Sequence, residues 1–258
     1  MPNQYFEQHL TVNPFSVSDI NTQCVLLLNA ESIDLADFPL ADLLSPFEQA
    51  VIERRKSSKA KQEYLATRLL LKFLVKHCFS EFADTPAHHI SSEFDERSSK
   101  LLLHIKNTNT VLSSCLSHSN GFVGAALNIE QVEFGFDIEK VSLKRPFEKL
   151  AKHFYHQREV DLITQTEHGA AQRFFRIWTL KEALAKATSR PIAQLLSPHV
   201  FTELTTANLN AKSCEFKGFD MSIVNKKSTD WQCFYIDNLN QLSGVFEFKQ
   251  TAVNGLHY

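Results

Sequence analysis

Three acidic residues and one lysine stand out in this 258-residue chain as side chains that could share one piece of chemistry. The segment Gly135-Phe136-Asp137-Ile138-Glu139-Lys140 reads as a strand. Residues two apart on a strand point the same way, so Asp137 and Glu139 present two carboxylates on one face, with Phe136 and Ile138 on the other. Two hard oxygen donors at that spacing outline a Mg²⁺ site, since Mg²⁺ is commonly held by one or two carboxylates with water and substrate phosphate completing its shell. The hexapeptide alone equally describes an edge strand with two solvated acids. A second segment, Phe174 to Lys186, carries Trp178, Glu182 and Lys186 at i, i+4 and i+8 of a helical pattern. That spacing gathers a carboxylate, an ammonium and an aromatic anchor on one helix face, although Glu182 and Lys186 by themselves would be an ordinary surface pair.

Two further segments could meet an anion. Ser113 to Gly121 clusters hydroxyls beside His118 where a strand pattern breaks into a turn, a candidate phosphate cradle that also fits a plain polar turn. Ser117 next to His118 does not imply a hydrolase, because no GxSxG elbow surrounds the serine. Arg54, Arg55, Lys56, Lys59, Lys61 and Arg68 make a basic stretch whose side chains mostly suit a solvated helix face, with one or two free to meet a phosphate-rich ligand. No GxxxxGK[ST], GxGxxG or HExxH is present, so P-loop, dinucleotide-fold and zincin readings have no support. Cys115 and His118 form a CxxH with no second pair, which disfavours zinc, and His88-His89 reads as a loop.

The elements that must position these groups come in blocks. Cys24 to Leu28 reads as a buried strand. Ser45 and Pro46 form an N-cap and N1 pair that opens one long helix, or two in succession, reaching about Phe79. Short strands follow at Leu101–Ile105, Val111–Leu116 and Phe122–Leu127. The second half repeats the order: a strand over Gln131–Glu139, helical patterns from about Pro146 to Ala187, then strands near Cys214–Phe219, Ser222–Asn225, Trp231–Ile236 and Gly244–Phe248. Blocks of strands and helices favour α+β over an alternating parallel sheet. The seam falls near Asn128–Gln131 with no Pro/Gly/Ser-rich linker, so two closely packed halves are expected, 1–129 and 130–258.

Composition narrows the class. With 43% hydrophobic and 22% charged residues the chain is of globular type, and a net charge of −2 argues against a protein that coats nucleic acid. The five cysteines are scattered and odd in number, which suits reduced thiols. The first ten residues lack a basic n-region and an apolar h-region, and the apolar runs are too short to span a bilayer, so a cytoplasmic protein with no membrane association is expected.

Taken in order, Ser117-His118-Ser119, the Gly135–Lys140 segment, Phe154-Tyr155 with Glu159, and Trp178 to Lys186 resemble the four motifs of the Sfp-type 4'-phosphopantetheinyl transferases. The likeness runs from about Cys24 to Phe248, and four motifs in order are far more specific than any one. The resemblance implies a pseudo-twofold pair of α+β halves with coenzyme A in the cleft between them. It implies an Mg²⁺-dependent transfer of phosphopantetheine from coenzyme A to a serine of an acyl or peptidyl carrier protein, releasing 3',5'-ADP. Carried over by position, Asp137, Glu139 and Glu182 would hold Mg²⁺, Lys186 would contact phosphate at the reacting end, and Ser117 and His118 would meet the 3'-phosphate. Lys59, Arg97 and Lys100 stand nearest the family's other basic contacts, and Glu159 or Glu182 would accept the serine proton. An internally duplicated fold would need no partner subunit, so a monomer is implied. Lys59 or Lys61 stands where the family usually has an arginine upstream of Thr67-Arg68, and the chain departs in two further places: Arg97-Ser98-Ser99-Lys100 stands where GKP is usual, and Ala187 to Pro191 replaces a GxG turn. Those departures motivate an alternative, a degenerate member that binds coenzyme A or a carrier without transfer.

Overall fold

The computed structural model describes residues 9–20, 23–97, 100–130, 133–165, 169–226, 231–244 and 246. Ten strands form two sheets. The larger has seven, in spatial order β1 (Val12–Pro14), β10 (Gln232–Ile236), β2 (Gln23–Asn29), β6 (Phe122–Asn128), β5 (Val111–Ser119), β4 (Lys100–Ile105) and β3 (Ile90–Asp95). The smaller is antiparallel, in order β7 (Phe134–Lys140), β9 (Phe219–Asn225) and β8 (Asn210–Phe216). Seven α-helices complete the described chain: α1 (Leu40–Leu43), α2 (Pro46–Arg54), α3 (Ser58–Cys78), α4 (Phe147–Phe154), α5 (Gln157–Thr164), α6 (Ala170–Thr188) and α7 (Val200–Thr206).

The continuous apolar run of β2 has a simple cause: both of its faces are covered. Cys24, Leu26 and Leu28 join the core beneath α3, while Val25 and Leu27 join a second core between the two sheets with Phe136, Ile138 and Met221. A third core lies under α4 to α7 against the outer face of the small sheet, centred on Phe174, Phe175 and Leu184. The layers therefore run from α3 through the large sheet and the small sheet to α6. Gly124 lets the sheets meet, because a Cβ there would fall 2.5 Å from the Phe136 ring.

Local chemistry sets the breaks. The expected helix from Ser45 is two helices: Ser45 and Glu48 close a capping box at α2, and Ser57 caps α3 by accepting the Ala60 N–H at 3.1 Å. The pattern from Pro146 to Ala187 divides into three, with His156 capping α5 and Gly169 at φ 83° preceding α6. Phe219 belongs to β9, not to the preceding strand, because Lys217 and Gly218 take positive φ values of 51° and 76° and form the hairpin turn. Residues 131 and 132 of the expected Gln131–Glu139 strand, and most of the Gly244–Phe248 strand, lie outside the described residues.

Two features of the strand pairing go beyond the sequence reading. The division at residue 129 does not separate the sheets, since β10 from the C-terminal stretch sits inside the large sheet, parallel to both β1 and β2. The strand β3 has little apolar alternation in its sequence and was not expected; it pairs antiparallel with β4 along its whole length, and His88-His89 lies in the short 3₁₀ turn before it.

Candidate active site

Gly135 fixes how closely β7 can approach α6. A Cβ at that position would fall 2.0 Å from the Ala183 carbonyl oxygen and 2.6 Å from the Ala187 N, so only glycine lets the strand lie against the helix backbone. Asp137 and Glu139 alternate with Gly135 on this face and are carried to the turn of α6 that presents Glu182 and Lys186.

Of the three acids, Asp137 is the one in contact with Lys186. Asp137 Oδ1 accepts from Lys186 Nζ at 2.8 Å and from Ser117 Oγ at 2.7 Å. Lys186 Nζ also donates to the carbonyls of Phe136 at 3.0 Å and Leu116 at 3.2 Å, so its three protons are all engaged and it ties β5, β7 and α6 together. Burial works against its charge, and Asp137 with Glu182 more than offsets this, holding Lys186 above the ordinary lysine value. Glu182 is pushed up by burial and by the negative charges of Asp137 and Glu139, with Lys186 pulling the other way. Glu139 is likewise raised by burial and by Asp137, against contacts from Ser119 and from Arg145, whose Nη1 lies 3.3 Å from Glu139 Oε1. Three carboxylates thus sense one another's charge, the condition under which a cation is stabilised.

The other expected residues divide. Ser117 is buried, with its hydroxyl turned inward to Asp137 and to the Ile138 N–H at 3.1 Å, so as placed it does not offer itself to an external phosphate. His118 points to the opposite side, 54% exposed, with Nδ1 3.2 Å from Glu63 Oε2. Lys59 is exposed beside Glu31 at 3.6 Å, and Arg97 is exposed at the end of the β3 hairpin. Lys100 and Lys186 line one pocket of about 180 Å³ with Phe94, Ser113 and Phe134.

Glu159 lies in a different setting. It is fully buried, its Oε2 paired with Lys181 Nζ at 2.9 Å and its Oε1 accepting the Val200 N–H at 2.7 Å. Lys181 spends its remaining reach on the carbonyls of Leu195, Leu196 and Pro198. This pair anchors α5, α6 and the segment entering α7, and an incoming serine has no access to it.

Sequence reasoning missed three contributors. Arg145 bridges from Glu139 to the Trp178 ring, 5.5 Å from its centroid, but lies in a turn where no periodicity applies. Asp220 stands opposite Glu139 on β9, held by Arg176 at 2.8 Å and Thr179 Oγ1 at 2.7 Å, with burial raising its pKa to about 6. Glu63 takes the Gly121 N–H at 2.8 Å and braces the turn after His118. The Arg176 side chain adjoins the aromatic motif in sequence, yet only the strand register reveals its partner.

The chemistry of the donor set suits a hard divalent ion: three carboxylates, of which Glu139 and Glu182 have raised proton affinity, and Asp137 Oδ2 without a protein donor among the described residues. Among the described residues no three His, Cys, Asp or Glu side chains are placed together so as to hold a metal ion by themselves. Mg²⁺ is ordinarily held by only one or two carboxylates, with water and substrate phosphates completing its shell.

Comparison with known proteins bears on the same region. A model of the 4'-phosphopantetheinyl transferase superfamily matches residues 133–241, the span holding β7, α6 and all three acids. The 4'-phosphopantetheinyl transferase HetI of a Nostoc species is 40% identical over 31% of this chain and 34% of its own length. The 4'-phosphopantetheinyl transferase psf-1 of Bacillus pumilus is 28% identical over 50% of this chain and 52% of its own. The chain thus spans about a third to a half of the length of these relatives.

Proposed function

We propose, from the match of residues 133–241 to the 4'-phosphopantetheinyl transferase superfamily, that the chain transfers the phosphopantetheine group of coenzyme A to a serine of an acyl or peptidyl carrier protein. The observation that supports the reading is the Asp137–Lys186 ion pair of 2.8 Å across the touching faces of β7 and α6, with Glu139 and Glu182 near enough to feel the charge of Asp137. The reading includes a single-chain enzyme working in the cytoplasm. No helix among the described residues is long and apolar enough to cross a membrane.

Asp137, Glu139 and Glu182 would hold Mg²⁺, which when bound supplies positive charge against the pyrophosphate. The serine oxygen attacks the β-phosphorus, a new P–O bond forms, and the bond to 3',5'-ADP breaks with its electron pair leaving on the ADP phosphate. Lys186 contributes a fixed positive charge at this end, oriented by its three contacts and so needing no reorganisation during reaction. The serine proton needs an acceptor within reach. Glu182, partly exposed and raised in pKa, fits that role better than the sealed Glu159. His118, Lys59, Arg97 and Lys100 are the basic side chains left with exposure enough to meet the nucleotide phosphates.

The test is incubation with coenzyme A, Mg²⁺ and a panel of apo carrier proteins, read by intact-mass spectrometry. A carrier gaining the mass of one phosphopantetheine group is the expected result. Tight Mg²⁺-dependent coenzyme A binding without mass gain on any carrier would favour the non-catalytic binder, a reading to which the full engagement of Lys186 lends some weight. Neither binding nor transfer would end both.

A further inference from the structure

The free edge of β7 is closed by side chains rather than by backbone. Cys115, Ser117 and Ser119 alternate along β5 and accept the N–H groups of Phe136, Ile138 and Lys140 at 3.2, 3.1 and 3.1 Å. The two strands run in the same direction, two residues of one matching two of the other. Edge amides that would otherwise invite another strand are thereby satisfied inside the molecule.

Ser117 does something the other two do not. A hydroxyl has one proton and two lone pairs. In Ser117 a lone pair receives Ile138 N–H, and the proton goes to Asp137 Oδ1 at 2.7 Å. In Ser119 the hydroxyl oxygen receives Lys140 N–H at 3.1 Å and Asn120 Nδ2 at 3.3 Å. Ser117 therefore grips Ile138 by its backbone and Asp137 by its side chain. An acceptor role fixed by a backbone amide restricts where the hydroxyl proton can point, so Ser117 is a directed donor. Both serines are buried. With Ser117 and Lys186 both on Oδ1, Asp137 Oδ2 is left without a protein donor among the described residues.

We propose that Ser117 is a positioning residue that sets the Asp137 carboxylate for a divalent cation. The strand end holding the SHS triplet then serves two faces: Ser117 orients the acid, while His118 beside it reaches Glu63 of α3 and solvent. The inference rests on the cation site of the proposed function. Outer partners of metal ligands typically contribute about 10–100-fold to metal affinity.

The test uses the whole chain and Mn²⁺ as the probe, with binding followed by electron paramagnetic resonance and calorimetry. Ser117→Val and Ser117→Thr share a shape and differ by the hydroxyl, so a packing effect would strike both. Ser117→Val should weaken Mn²⁺ binding by about 10–100-fold while Ser117→Thr stays within a few fold of the native chain. Ser119→Ala, which leaves both Asp137 Oδ1 contacts in place, should stay within a few fold of the native chain. At saturating Mg²⁺ the KM for coenzyme A should stay unchanged. Equal Mn²⁺ affinity in the native chain and Ser117→Val overturns the inference and leaves the transferase reading intact. So does a raised coenzyme A KM at unchanged cation affinity, which would mean that Ser117 touches the nucleotide. Equal losses in Val and Thr overturn it as well, as a packing effect. Failure of the native chain to bind Mn²⁺ at all removes the cation site itself.

Discussion

The helices α3 and α6 each bury a lysine that pairs with a glutamate from the capping box of the preceding helix, yet only α6 continues into a glutamate and a second lysine, Glu182 and Lys186. In the first case Lys72 Nζ meets Glu48 Oε2 at 2.6 Å and the carbonyls of Leu43 and Ala87; in the second Lys181 meets Glu159 at 2.9 Å and three carbonyls. Glu48 and Glu159 both occupy the third position of their helices, capped by Ser45 and His156. Burial lowers the proton affinity of both lysines. One and five residues beyond the lysine, α6 has Glu182 and Lys186, whereas α3 has Phe73 and His77, stacked with centroids 5.6 Å apart. The same anchoring device thus occurs in both parts of the chain, filled out with aromatic packing in one and with ionisable groups in the other. A buried ion pair next to a site is therefore no sign of catalysis in itself, and Glu159 owes its place in the sequence pattern to anchoring.

Breaking the two anchors should have the largest effect on stability. Lys72→Met and Lys181→Met each strand a buried carboxylate and should each cost about 3–5 kcal/mol in denaturant unfolding. A markedly smaller loss for one of them would show that the two pairs are not the same device. Next come the glycines at the helix and sheet contacts. Gly135→Ala drives a methyl into α6 backbone and should cost about 1–3 kcal/mol or more, with loss of transfer. Gly124→Ala meets the Phe136 ring and the end of the Ile138 side chain rather than backbone, and should cost less. Removing a cap is milder: Ser45→Ala should cost about 1 kcal/mol by thermal melting. Smallest is His77→Ala, which should change stability by about 0.5 kcal/mol or less and leave transfer untouched. A large drop in transfer there would mean that the α3 side also takes part.

Much of this arrangement was legible from spacing. Alternation placed Asp137 and Glu139 on one face of β7, and the i, i+4 rule placed Glu182 and Lys186 on one face of α6. The bounds of β2, β4 and β6 follow from apolar runs closed by polar turns. What spacing could not give were contacts between distant segments. Ser117 and Asp137 are twenty residues apart, and only the side-chain ladder between β5 and β7 joins them. The insertion of β10 between β1 and β2 is a long-range pairing that no local pattern encodes. Glu159 lay within a motif, but motif position carries no information on burial, and the capping box that encloses it depends on His156 as cap.

The claim that three carboxylates share one cation is tested most directly by a double-mutant cycle on transfer to a carrier protein. Asp137→Ala and Glu182→Ala should each lower the rate by roughly a hundredfold or more, a loss of the size seen when one electrostatic group is removed from an active site. If both hold the same ion, the double variant should be little worse than either single one. Losses that multiply in the double variant would contradict the account, because they would mean that the two acids act independently.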